Sequence, residues 1–202
     1  MAQNKNDCPI KLICFDLDDT LIYTEDDERV GDTPLKFSPV GNFNPDVGPE
    51  RVVDGPNKVQ VLVPGVREVL PRLAEISTLT WVSMGPQWQM KRFCEAFNID
   101  QYFNWELGAY DRQDKGEKVE LCIEHYNASL LAKFHYGAPQ LSQQRLRREE
   151  VLFIDDNLGY LGRVESYMHG VKVLWAHYRS EGGFQNLYRD IKEQFGLDLK
   201  KF

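Results

Sequence analysis

The chain has 202 residues, 42% hydrophobic and 12% aromatic, which suits one domain with a buried core and excludes a chain disordered throughout. Twenty-four basic side chains against 31 acidic ones leave a formal charge of −7, so a protein built to grip a phosphate backbone is disfavoured and no nucleic-acid partner is expected. No run reaches the length of a membrane span, Met1 to Cys8 is polar, and Cys8, Cys14, Cys94 and Cys122 lack C-x-x-C spacing, so a soluble, cytoplasmic protein with reduced thiols, no zinc and no membrane partner is expected.

Lys11-Leu-Ile-Cys-Phe15 is a continuous apolar run that meets acids abruptly, which predicts a strand buried on both faces. The next segment, about 23–60, is rich in acids, prolines and glycines, with turn signals at Asn44-Pro45 and Gly55-Pro56, and reads as either a flap or a disordered insertion. Val66, Val69, Leu70, Leu73 and Ile76 follow a helical period, with Pro71 as a candidate kink. Leu79 to Val82 predicts a second strand, ending at Ser83-Met-Gly85. Pro86 then stands as a first helical residue, with Met90, Phe93, Cys94 and Phe97 on one face. Val119, Cys122, Ile123 and Tyr126 mark a third helix, followed by a shorter, basic insertion at about 129–150. Strands at Val151 to Ile154 and Val171 to Trp175 follow, then a helix carrying Phe184, Leu187, Tyr188, Ile191 and Phe195 that ends before Gly196. Alternating strands and helices predict a single α/β domain over 1–202, three-layered and doubly wound around a central parallel sheet.

Ligands of such sheets bind beyond the carboxyl ends of the strands, which directs attention to Asp16, Asp18 and Asp19 after the first strand and to Asp155 and Asp156 after the third. If the two strands are neighbours, carboxylates crowd one edge. Charges about 4 Å apart repel by roughly 4 kcal/mol at an effective dielectric near 20, so the cluster calls for a cation. Oxygen ligands without His or Cys select a hard ion such as Mg²⁺. Ser83, with the amides of Met84 and Gly85, offers the opposite preference, an anion site ahead of a helix. Lys118 balances the charges near the start of its helix, and Lys115 competes for that place. Trp88 and Trp105 read as packing residues before pocket walls.

Phe15-Asp-Leu-Asp-Asp-Thr-Leu21 resembles the first motif, D-x-D-x-T, of the haloacid dehalogenase superfamily. Ser83, Lys118 and the Asp155-Asp156 pair resemble its second, third and fourth motifs, in order, from Lys11 to about Trp175. The resemblance implies a Rossmann-like phosphatase without a large cap domain. Asp16 would be the nucleophile and Asp18 the general acid and base. Ser83 and Lys118 would hold phosphate, Asp16, Asp18 (through its carbonyl), Asp155 and Asp156 would hold Mg²⁺, and Thr20 would steady the turn. The Val-Pro-Gly-Val-Arg-Glu-Val-Leu segment and the preceding excursion are similar to the magnesium-dependent phosphatase-1 group, although Ser83-Met-Gly-Pro86 replaces its Ser-Arg-Thr. The expected partner is a phosphorylated substrate, protein or phosphosugar. Other classes consistent with the residues are a carboxy-terminal-domain-type serine phosphatase, a non-catalytic phosphoacceptor and a binding module.

Overall fold

The computed structural model describes residues 8–26, 50–55, 57–109, 114–133, 145–179 and 182–201. The main sheet is built from β1 (Leu12–Phe15), β5 (Thr78–Val82), β6 (Trp105–Leu107), β7 (Val151–Asp155) and β8 (Lys172–Trp175), and three strands between β1 and β5 form a separate small sheet. Its strand order is β6-β5-β1-β7-β8, parallel wherever strands pair. β1 lies at the centre, with Leu12 opposite both Thr78 and Val151 and Phe15 opposite both Trp81 and Ile154.

Alternation along these strands divides the interior in two. Ile13, Phe15, Leu79, Trp81, Leu152 and Ile154 face one core, covered by α1 (Val66–Ile76), α2 (Gln87–Ala96) and α5 (Leu187–Phe195). Leu12, Cys14, Val82, Val151 and Phe153 face the other, covered by α3 (Lys115–Lys133) and α4 (Leu158–Tyr167). Because successive side chains point to opposite faces, a strand between two helical layers must be apolar throughout, which is why β1 reads as an unbroken apolar run. All four cysteines are buried free thiols. Among the described residues no helix is long and apolar enough to cross a membrane.

Part of the 23–60 segment is ordered. β2 (Ile22–Asp26), β3 (Arg51–Gly55) and β4 (Lys58–Leu62) form an antiparallel sheet in the order β2-β4-β3, while 27–49 lie outside the described residues. The turn signal at Gly55-Pro56 corresponds to the β3–β4 connection, where Asn57 takes φ 56°, a left-handed conformation that Asn tolerates. The expected insertion at 129–150 begins too early. Helix α3 continues to Lys133, and 134–144 lie outside the described residues. Helix α1 runs unbroken through Pro71. Pro86 is the residue before helix α2 rather than its first, and Phe184 occupies a short 3₁₀ turn ahead of α5, which closes on Gly196 at φ 67°.

Candidate active site

The chain leaves β1 into a tight turn at the carboxyl edge of the sheet. The Leu17 carbonyl accepts from the amides of Thr20, Leu21 and Ile22, at 3.3, 2.9 and 3.0 Å, and Asp19 adopts φ 58°. Backbone bonds therefore hold this turn. Thr20 contributes to it through its amide, while its buried hydroxyl has no partner among the described residues. Just before the turn, the Asp16 amide donates to the Ile154 carbonyl at 2.8 Å, so the parallel pairing of β1 with β7 itself carries Asp16 alongside Asp155.

Carboxylate oxygens of Asp16, Asp155 and Asp156 lie within 4.8 Å of one another. Asp16 and Asp155 are buried, and Asp156 is half-buried. Between the first two sits the ammonium of Lys115, 2.7 Å from Asp16 Oδ1 and 2.6 Å from Asp155 Oδ2. The same ammonium lies 4.7 Å from the centre of the Tyr160 ring. Asp155 Oδ1 accepts from the Asn157 amide at 2.8 Å, and the Asn157 side chain caps α4 through the amides of Gly159 and Tyr160. Burial pushes the Asp16 carboxyl well up, against the lowering pull of Lys115. Burial also opposes charge on Lys115, but Asp16 and Asp155 override it and raise its pKa. Asp156 is raised by burial first and by Asp155 second.

Of the two competing lysines, Lys115 reaches the acids and Lys118 does not. The Lys118 ammonium instead donates to the Ser83 carbonyl at 2.8 Å and lies 3.6 Å from Met84 Sδ, with its pKa lowered by burial and then by Lys115. The sequence did carry a signal for which lysine meets the acids. Asp114-Lys-Gly-Glu117 is a capping box: Asp114 Oδ1 accepts from the Gly116 amide at 2.8 Å, and Glu117 Oε2 accepts from the Asp114 amide at 3.1 Å. That motif fixes the helix start, so Lys115 is the first helical residue, aimed at the sheet edge.

Asp18 and Ser83 meet, with the Ser83 hydroxyl donating to Asp18 Oδ2 at 3.3 Å. Burial raises the Asp18 carboxyl, and the Ser83 hydrogen bond lowers it. The Gly85 amide, expected to face an anion, donates to Ser83 Oγ at 2.9 Å and so fixes that hydroxyl. The Asp18 side chain is absent from the described carboxylate cluster.

Further residues at this edge escaped the sequence reading. Arg179, after β8, pairs with Asp19 at 2.9 Å and lies 4.4 Å from the centre of the Tyr23 ring. In the small sheet, Gln60 and Asp54 hydrogen-bond at 2.7 Å. Trp105 packs on His125 and Tyr126, whereas Trp88 is exposed beneath the guanidinium of Arg92.

Three carboxylates and one ammonium leave a formal charge of −2 at the cluster, made entirely of oxygen donors, which suits one hard divalent cation. No family model and no curated protein matches the sequence. Solved structures do match. The chain is similar to the haloacid dehalogenase family enzyme bt-2542 of Bacteroides thetaiotaomicron, a magnesium complex, at 15% identity and a TM-score of 0.53, covering 90% of this chain and 99% of that one. It is also similar to a haloacid dehalogenase superfamily hydrolase, subfamily IA, variant 1, of Geobacter sulfurreducens, at 14% identity and a TM-score of 0.50, over 82% and 89% of the two chains. The chain thus shares the fold of these two enzymes, here a five-stranded parallel sheet between helices.

Proposed function

We propose that the protein is a phosphohydrolase that cleaves phosphate monoesters through an aspartyl-phosphate on Asp16. The observation that carries this reading is the pairing of a buried Asp16, bridged by Lys115 to Asp155, with Asp18 two residues on and hydrogen-bonded to Ser83. Asp16 Oδ attacks phosphorus in line, forming the acyl-phosphate bond as the ester P–O bond breaks. Asp18 gives its proton to the departing oxygen and then takes one from the water that hydrolyses the intermediate, returning phosphate and free Asp16. Burial raises the Asp18 pKa, in the direction that favours the acid form the first step needs.

Lys115 and the Ser83 hydroxyl bind the remaining phosphoryl oxygens, in a reaction governed by positioning and electrostatics. Lys118 acts one step removed, by holding the Ser83 carbonyl and with it the loop that presents the hydroxyl. Asp16, Asp155, Asp156 and the Asp18 carbonyl would hold Mg²⁺, which supplies charge neutralisation for the phosphoryl group when bound. The Val63-Pro-Gly-Val-Arg-Glu-Val-Leu70 segment, similar to the magnesium-dependent phosphatase-1 group, favours a phosphoprotein or a phosphosugar as substrate.

Release of phosphate from p-nitrophenyl phosphate tests this. The expected result is multiple turnover with Mg²⁺, loss with chelator, and a drop of at least about 1,000-fold in Asp16→Asn. A single stoichiometric burst would instead identify a phosphoacceptor, and no release at all would favour a binding module.

A further inference from the structure

The small sheet carries a carboxylate that the proposed chemistry does not use. Pairing of β3 with β4 is regular from Arg51 to Val53, then shifts between Val53 and Gly55, so Asp54 is the extra residue of a β-bulge. Bulges re-aim a side chain out of the regular alternation. The Asp54 carboxylate is held from two directions. Gln60, itself 4% exposed, spends its amide on Asp54 Oδ2 at 2.7 Å and on Thr24 Oγ1 at 2.9 Å, which ties β2, β3 and β4 together. Gln89 of α2 reaches Asp54 Oδ1 at 3.4 Å. Helix α2 begins just beyond Ser83, so this contact lays the bulge over the edge where Asp18 stands, and the Asp54 charge acts on Asp18 in the raising direction. A carboxylate has about four acceptor positions, so two amide contacts leave capacity for donors from a bound molecule.

We propose that Asp54 is a specificity-determining residue that faces the leaving group and selects phosphate monoesters whose alcohol bears an ammonium or other hydrogen-bond-donating cation, against esters bearing a second anion. This rests on the phosphohydrolase reading above and adds the substrate class. The surroundings act in the same sense. Arg179 at this edge is paired with Asp19, which makes it less available to a carboxylate on the leaving group, while an ammonium has Asp54. Asp54 acts through the substrate, and the bond-making steps at Asp16 are unaltered.

The test uses phosphoethanolamine, which has a cationic leaving group, and phosphoglycolate, which has an anionic one, with Mg²⁺ and the full chain. The ratio of their kcat/KM values should favour phosphoethanolamine and fall by about tenfold or more in Asp54→Asn, corresponding to loss of one charge-assisted contact. Asp54→Glu should recover part of the ratio. Equal changes for both esters would assign Asp54 a purely structural role and overturn the inference, as would a ratio unchanged within twofold. Calorimetric binding of the two esters to Asp16→Asn, with and without Asp54→Asn, separates this from the chemistry. If the wild type hydrolyses neither ester and releases no phosphate from p-nitrophenyl phosphate, yet the affinity ratio moves with Asp54, the selectivity stands and the phosphohydrolase reading falls. If hydrolysis proceeds and neither ratio moves, the inference alone falls.

Discussion

The two sheets are held by different mixtures of forces, the small one adding a chain of side-chain hydrogen bonds to its apolar contacts. In the five-stranded sheet β1 and β7 are buried on both faces, and helices seal the two cores on either side. In the small sheet, Ile22, Val52 and Leu62 join the main core and Val59 and Val61 make a minor cluster with Tyr23 and Val53, while hydrogen bonds link exposed Thr24, buried Gln60 and half-buried Asp54. Apolar burial is non-directional and sums over many contacts, which suits the fixed placement of Asp16 against Asp155. Hydrogen bonds between side chains are directional and contribute about 1 kcal/mol each net, which suits a region that presents a particular group without anchoring the fold. Reaction chemistry therefore lies on the part hardest to deform, and discrimination on the part cheapest to alter.

The sharpest way to break this comparison is to hollow each sheet in turn. Leu152→Ala, in β7, should lower the unfolding free energy by about 4 kcal/mol in urea titration, whereas Val61→Ala in the small sheet should cost about 1 kcal/mol. Equal costs would mean the small sheet is as much a part of the core as β7. The next effect separates the lysines. Lys115→Met should lower kcat/KM about 100-fold, near 3 kcal/mol, and Lys118→Met about tenfold, and the reverse order would return the phosphate-binding role to Lys118. The smallest concerns Arg179, whose pair with Asp19 is about half exposed on each side. Arg179→Gln should change stability by less than about 0.5 kcal/mol, and a larger loss would show that this contact ties the two sheets together.

How much of this was legible depends on what each element needs from its residues. β1, β5 and β7 are unbroken apolar runs because two helical layers demand it, so they and the acids at their ends stand out in the sequence. Strand β6 has three half-buried residues at the sheet edge, too short for a period to show. The small sheet was hidden for another reason: Gln60 is buried by hydrogen bonds rather than by apolarity, and a pattern of hydrophobicity does not register that. Lys115 and Lys118 are three residues apart, on one side of a helix, so spacing did not separate them and only the capping box did. The bulge at Asp54 leaves no trace in residue type, since it is a property of the pairing of two strands.

The division of the interior by β1 bears on how this gene can change length. With Leu12 and Cys14 committed to one core and Ile13 and Phe15 to the other, one codon gained or lost within the strand would exchange the two sets and rotate Asp16 off the edge it shares with Asp155. Point substitutions among apolar residues are tolerable there, but insertions and deletions are not. Descendants of this sequence should therefore keep the count from Leu12 to Asp16 fixed even where the letters between them drift.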